Sequence, residues 1–70
     1  MSQTYKLVTL VGTSPESYEA AIRSAVRDAS DSLRNLAWFE VQEMRGKLTG
    51  NQVAEFQVTL RVGFKVDVGS

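Results

Sequence analysis

The second half of this chain contains residues whose types could bind a ligand: a tryptophan, a glutamine and several cations. Trp38 is the only tryptophan, and its indole offers a flat surface on which another ring can stack. Gln57 has an amide that both donates and accepts hydrogen bonds. Four cationic side chains in the same half are suited to a phosphate: Arg45, Lys47, Arg61 and Lys65. Together these residue types suit a heteroaromatic ring with a phosphorylated tail.

Each of these residues also has a simpler interpretation. A dry contact between subunits explains an exposed Trp38 as well as a ligand does. Gln57, taken alone, is more often a solvated strand residue. Surface charge or a salt bridge between subunits is the default for Arg45 and Lys65. The residue types alone therefore do not identify the ligand.

The sequence lacks the residues of the commonest catalytic and metal sites. It has no histidine and no cysteine, which removes the most frequent general base, nucleophile and zinc ligands. Neither a phosphate-binding loop nor a dinucleotide-binding glycine pattern occurs. Glu40 and Glu43 have no recognisable catalytic partner, so we interpret them as solvated or salt-bridged carboxylates. We therefore expect a binding protein without a metal site, not an enzyme.

Length and composition predict one small globular domain, residues 1–70, that associates with copies of itself. A core of this size buries barely enough surface for stability, and no cysteine is present for disulfides. Eight basic residues balance eight acidic ones, which argues against a general nucleic-acid binder. Residues 1–6 lack a signal-peptide pattern, and no apolar run is long enough to span a membrane. We therefore expect a cytoplasmic protein without a membrane partner.

The apolar pattern predicts an α+β fold in the order β-α-β-β, with a three-stranded antiparallel sheet curled around one helix. The first strand is predicted over Tyr5–Val11. The helix is expected to have Ser14 as N-cap and Pro15 as its first residue, or to begin in a capping box of Thr13 and Glu16. Its apolar stripe recurs at spacings of three and four: Tyr18, Ile22, Ala25, Ala29, Leu33 and Leu36.

The second half of the chain predicts a long β-hairpin. Its strands cover about Ala37–Leu48 and Val53–Val66, joined by a tight turn at Gly50-Asn51. The last strand presents one apolar face to the core: Ala54, Phe56, Val58, Leu60, Val62, Phe64 and Val66. Since strands usually have about three to ten residues, a longer one must twist, and we expect the hairpin to curl around the helix.

Alternation along the second strand places the tryptophan on the face that the core does not use. Trp38 and Met44 are both expected on this open face. The turn pairs Trp38 with Gly63, which leaves room above the sheet beside the indole, and pairs Met44 with Gln57. A bulge at Gly46 would shift this register locally. Trp38 and Gln57 lie about six residues apart along the strands, on the order of 20 Å, so one planar ligand touches both only if they come from different subunits.

Taken together, several segments of the chain resemble the dodecin family of small flavin-binding proteins. The similar segments follow in order along nearly the whole chain: Val11-Gly12-Thr13-Ser14, Ala20-Ala21-Ile22, Trp38-Phe39-Glu40-Val41, Met44-Arg45-Gly46, Phe56-Gln57-Val58-Thr59-Leu60 and Val62-Gly63-Phe64. The resemblance implies a hollow homododecamer that holds FMN, riboflavin or FAD between tryptophans related by symmetry. It also implies storage or sequestration of the flavin, with quenching by the stacked indole, instead of catalysis.

The resemblance implies roles for individual residues. Trp38 would stack on the isoalloxazine ring, Gln57 would hydrogen-bond its polar edge, and Arg45 would lie beside the flavin. Some bacterial relatives resemble coenzyme A binders, and Lys6 and Lys65 are the candidates for contacts with the phosphates of coenzyme A.

One position departs from the pattern of the relatives, and two other functions stay open. Several bacterial relatives have an acidic residue before the tryptophan, where this chain has Ala37. If that acid holds the ribityl hydroxyls, its loss leaves stacking intact but changes the affinity for, or the preference among, the flavins. The alternatives are a purely structural oligomeric module and a nucleic-acid-binding sheet. In the latter, Trp38 stacks on a base while Arg45, Lys47 and Arg61 meet phosphates.

Overall fold

A computed structural model describes residues 2–66 and contains the predicted order of elements. The elements are β1 (Tyr5–Ser14), α1 (Tyr18–Ser32), β2 (Leu36–Thr49) and β3 (Gln52–Lys65). The three strands form one antiparallel sheet in the order β1-β3-β2, so β3 is the central strand. This confirms the predicted fold class, whereas the predicted domain limits at residues 1 and 70 lie outside the described residues. Among residues 2–66, no helix has the length and apolar character needed to cross a membrane.

The helix begins later than the sequence predicted. Ser17 is its N-cap: the residue is extended (φ −168°, ψ 165°), and its Oγ accepts a hydrogen bond from the backbone N of Ala20 at 3.0 Å. The predicted caps at Ser14 and Thr13 are wrong because β1 continues through Ser14. The buried Ser14 Oγ instead accepts a hydrogen bond from the backbone N of Glu16 at 3.0 Å. This bond supports the turn between strand and helix.

The core lies between one face of the helix and the central strand. Its buried apolar residues are three alanines spaced by four and three alternate residues of β3: Ala21, Ala25, Ala29, Val58, Leu60 and Val62. The alternation predicted for β3 is confirmed at these three positions, whereas Ala54 is exposed and Val66 lies beyond the end of the strand. The predicted helical stripe extended too far, because Leu33 is already the C-cap and Leu36 is the first residue of β2. Asn35, with a φ of 62°, reverses the chain between helix and strand.

The close approach of helix and sheet requires a glycine at position 12. A Cβ on Gly12 would lie 2.9 Å from the Cβ of Ala25 and would overlap the backbone oxygen of Ala21. Such distances are too short for packed atoms, so only glycine allows the alanine row of α1 to rest on β1.

The edge strand β2 is left uncovered on the side of the sheet that faces the helix. The helix packs on β1 and β3, and a cleft of about 680 Å³ separates it from β2. Apolar side chains from both walls line this cleft: Tyr18, Ile22, Val26, Phe39 and Met44. Phe39 and Met44 are 50% and 53% exposed. An exposed apolar surface of this kind is typical of an interface between proteins.

The hairpin has the predicted turn and three irregularities. Gly50 and Asn51 form the turn, and Gly50 has a φ of 63°, which favours glycine. Trp38 pairs with Gly63, as predicted. Three single residues have no partner on the opposite strand and form β-bulges: Ala37 and Gln42 on β2, and Ala54 on β3.

The bulge at Gln42 reverses the faces of the residues that follow it. A shift of register by one residue moves each side chain to the other face of the sheet. Met44 therefore lies on the helix side and pairs with Val58, a core residue of β3. Its predicted place opposite Gln57 is wrong because Ala54, unpaired on β3, shifts the pairs nearer the turn by one residue. Arg45 takes that place on the open face. The local shift considered for Gly46 occurs between two other bulges, Ala54 on β3 and Gln42 on β2.

Candidate functional site

The face of the sheet opposite the helix carries the candidate residues; we call it the open face. On β3 it consists of the residues that alternate with the core: Glu55, Gln57, Thr59, Arg61, Gly63 and Lys65. Pairing adds side chains from both neighbouring strands, and four large apolar ones are exposed: Tyr5, Leu7, Val11 and Trp38. The predicted position of Trp38 on the face that the core does not use is confirmed.

The indole of Trp38 lies directly on the backbone of Gly63. A Cβ built on Gly63 would be 2.5 Å from both Cε2 and Cζ2 of the indole. The space that the sequence predicted beside the ring is thus filled by the ring itself. Trp38 is nevertheless 44% exposed, so the indole is supported by the sheet and still offers surface for stacking.

A second aromatic ring holds the indole from the neighbouring edge of the sheet. The ring centroids of Tyr5 and Trp38 are 5.0 Å apart, with an angle of 53° between the planes. Tyr5 pairs with Lys65 at the start of β1, and its hydroxyl donates a hydrogen bond to Gln3 Oε1 at 3.1 Å. Sequence reasoning missed Tyr5 because it did not pair β1 with β3. The alternation of β1 against that strand was the signal that could have found it.

A cluster of five polar side chains lies further along the open face; we call it the polar cluster. Arg45 is at its centre: Nε donates to Gln57 Oε1 at 2.9 Å, and Nη1 donates to Glu43 Oε1 and Thr59 Oγ1, both at 3.1 Å. Gln57 Nε2 donates to Glu55 Oε1 at 2.9 Å. The two predicted residues Arg45 and Gln57 are therefore in direct contact, and each end of the glutamine amide has a partner.

The indole and the polar cluster are separate within one protomer. Trp38 pairs with Gly63 and Arg45 pairs with Gln57, so six residues of β3 separate the two pairs. At the rise of an antiparallel strand this is about 20 Å. One planar ring cannot touch both the indole and the amide of the same chain.

The remaining predicted residues are distributed over both faces. Lys65 lies on the open face and pairs with Tyr5, whereas Lys6 pairs with Phe64 and lies by register on the helix side. The structure therefore does not bring the two lysines together. Ala37 is the first bulge of β2 and lines a small cleft of about 210 Å³ together with Trp38.

Comparison with known proteins decides the family. The family model described as Dodecin matches residues 4–67. This chain belongs to the dodecin family. The resemblance predicted from the sequence is confirmed, and the predicted hollow homododecamer is consistent with membership of this family.

Similarity to individual dodecins extends over nearly the whole chain. The dodecin of Thermus thermophilus is 51% identical over 67 residues, 96% of this chain and 97% of that protein. The structure of the dodecin from Streptomyces davaonensis has a TM-score of 0.92 and 49% identity, covering 96% of this chain and 98% of that chain. The calcium dodecin of Mycobacterium tuberculosis is 32% identical over 62 residues, 89% of this chain and 87% of that protein. Within residues 2–66 of the present dodecin, no group of three or more His, Cys, Asp or Glu side chains is arranged to hold a metal ion.

Proposed function

We propose that this dodecin binds a flavin, FMN in the first place, against the indole of Trp38 and stores or sequesters it without turning over a substrate. The observation that carries the proposal is the exposed indole packed against Gly63 on the open face of the sheet. A ring held in this way presents an aromatic plane whose orientation is fixed before a ligand arrives, so little ordering is needed on binding. The proposal includes a cytoplasmic location.

The site is proposed to form between protomers of a homododecamer. Trp38 and Gln57 of one chain are about 20 Å apart, which is longer than an isoalloxazine ring. A flavin stacked on one indole therefore receives its hydrogen bonds from the Gln57 of another protomer. The uncovered side of β2 gives an independent reason for association, because Phe39 and Met44 expose apolar surface in the single chain.

The charges of the open face suit the phosphate of FMN. Arg45 is held beside Gln57 by its hydrogen bond, and Lys65 pairs with Tyr5, the ring neighbour of Trp38. Coenzyme A is proposed as a further ligand through its phosphates. Lys65 is the better placed lysine for it, because Lys6 lies by register on the other side of the sheet.

Titration of FMN with purified protein tests the proposal. A stacked indole passes an electron to the excited flavin, so bound FMN should lose its fluorescence. Trp38→Ala should remove the quenching and weaken binding by about 1–3 kcal/mol per flavin, the size of base–aromatic stacking. Undiminished FMN fluorescence at saturating wild-type protein would contradict flavin binding. Strong absorbance of the purified protein at nucleic-acid wavelengths, without a flavin spectrum, would favour the nucleic-acid alternative.

A charge placed in the cleft between α1 and β2 tests whether the site needs the assembly. Met44→Asp should give smaller species in size-exclusion chromatography, and these should bind FMN more weakly, because the site is shared between protomers. Ser30→Asp adds the same charge on an exposed position of the helix and serves as the matched control. A folded monomer of the Met44 variant that binds FMN with wild-type affinity would show that the site lies within one chain.

A further inference from the structure

We infer that Glu55 is a positioning residue that fixes the orientation of the Gln57 amide, and that it thereby makes the site selective for a ring edge with an N–H beside a carbonyl. The inference rests on the proposed flavin binding and adds to it the basis of selectivity at the polar edge of the ring. It is carried by the hydrogen bonds of the polar cluster.

The two partners of Gln57 define the orientation of its amide. Arg45 donates to Oε1 at 2.9 Å, and Glu55 accepts from Nε2 at 2.9 Å. A guanidinium has only donors and a carboxylate has only acceptors. Turning the amide by 180° would set its NH₂ group against the guanidinium and its oxygen against the carboxylate. Both bonds would be lost, so the assignment of oxygen and nitrogen follows from the chemistry of the partners.

The fixed amide keeps a defined capacity for one further partner. After these two bonds, Gln57 retains one N–H on Nε2 and one lone pair on Oε1. This N–H and this lone pair can bind a ligand edge on which a carbonyl oxygen faces the N–H and an N–H faces the lone pair. The pyrimidine part of an oxidised flavin has such an edge at C4=O and N3–H. Because the amide is already ordered, binding does not have to restrict its rotation.

The backbone explains why Glu55 is the residue in this role. Glu55 and Gln57 are two apart on β3, so their side chains emerge on the same face of the sheet. Arg45 reaches Gln57 from β2 because the bulge at Gln42 turns it to that face. Both Glu55 and Gln57 are half-buried, so water competes less for their hydrogen bond than it would at a fully exposed site.

Two variants and one ligand analogue test the inference. Binding of riboflavin and of 3-methylriboflavin, in which the N3 proton is replaced by a methyl group, is measured by fluorescence quenching. In the wild type the analogue should bind about tenfold more weakly, the effect of one hydrogen bond with an unpaired partner. Glu55→Ala should weaken riboflavin binding severalfold and bring the two dissociation constants within about threefold, because a Gln57 held only by the bond from Arg45 can rotate away from the methyl group.

The conservative variant and a charge control separate positioning from folding or charge. Glu55→Gln retains an acceptor oxygen for Nε2 and should restore the wild-type preference for riboflavin. Asp28→Ala removes one negative charge from an exposed position of α1 and should leave the preference unchanged. Wild-type protein that binds no riboflavin would overturn flavin binding and the inference with it. Tight riboflavin binding with the same preference in Glu55→Ala as in the wild type would overturn the inference alone.

Discussion

Adding a single methyl group at Gly63 should displace the indole on which the proposed site depends. Gly63 is buried in the central strand, and the Trp38 ring lies on it. In Gly63→Ala the new Cβ would be 2.5 Å from Cε2 and Cζ2 of the indole. Carbon atoms in contact are separated by about 3.5–4.0 Å, so the ring has to move by about 1 Å or more.

The displacement should lower both the free energy of unfolding and the affinity for FMN. An indole that is 44% exposed can swing toward solvent, so the destabilisation should be on the order of 1–2 kcal/mol. This combines the usual penalty of overpacking with the gain from replacing a strand glycine. Stacking of a flat ring contributes about 1–3 kcal/mol. We therefore expect FMN to bind about 5- to 150-fold more weakly, approaching Trp38→Ala.

Fluorescence titration with FMN measures this loss, and a second glycine provides the control. A Cβ on Gly46 would meet only the backbone oxygen of Glu55, at 3.6 Å, which is an ordinary contact. Gly46→Ala should therefore keep the wild-type dissociation constant and the wild-type quenching. If Gly63→Ala bound FMN as tightly as the wild type and quenched it as fully, the position of the indole over Gly63 would play no part in binding.

The remaining predictions concern the cap, the helix contact and the aromatic pair. Ser17→Ala removes the acceptor for the backbone N of Ala20 and should lower the free energy of unfolding by about 1 kcal/mol; an unchanged denaturant midpoint would speak against Ser17 as the cap. Gly12→Ala should lower it by about 1–3 kcal/mol, since the new methyl group meets the helix; an equally stable variant would show that the contact is loose. Tyr5→Leu should weaken FMN binding by about 0.5–1.5 kcal/mol through loss of the aromatic pair; wild-type affinity in this variant would show that Tyr5 does not contribute to binding. Trp38→Phe should retain part of the affinity but leave bound FMN more fluorescent, because benzene is a poorer electron donor than indole; full quenching would point to another donor.

Most of the fold could be predicted from sequence because each element has a regular local pattern. The alternation of β3 identified its buried face. Counting from the Gly50-Asn51 turn gave the pair of Trp38 and Gly63, which holds because the bulges at Ala54 on β3 and Gln42 on β2 offset each other. The helix start could not be fixed in the same way, because Ser14 and Ser17 both satisfy the rule for an N-cap. Which serine caps the helix depends on how far β1 remains paired with β3, and that pairing extends to Ser14.

The part of the site that escaped prediction depends on pairing between strands. Tyr5 reaches Trp38 only because β1 lies antiparallel to β3 and places Tyr5 beside Lys65. Arg45 was predicted beside the ligand from the resemblance to a family, not from its place in the hairpin. Counting residue pairs outward from the tight turn placed Met44 opposite Gln57, because this count assumes that every residue has a partner.

The spacing of apolar residues in β2 does indicate that the strand has a bulge. Phe39, Val41 and Met44 are apolar, and a regular strand cannot place all three on one face, because the last two are three residues apart. One extra residue between them resolves the conflict, and Gln42 is that residue. The bulge has two consequences at once. It turns Met44 into the apolar cleft beside the helix, and it turns Arg45 to the open face, where it holds Gln57. A single inserted residue thus gives one edge strand an apolar side suited to association and a polar side suited to a ligand, as the proposed site between protomers requires.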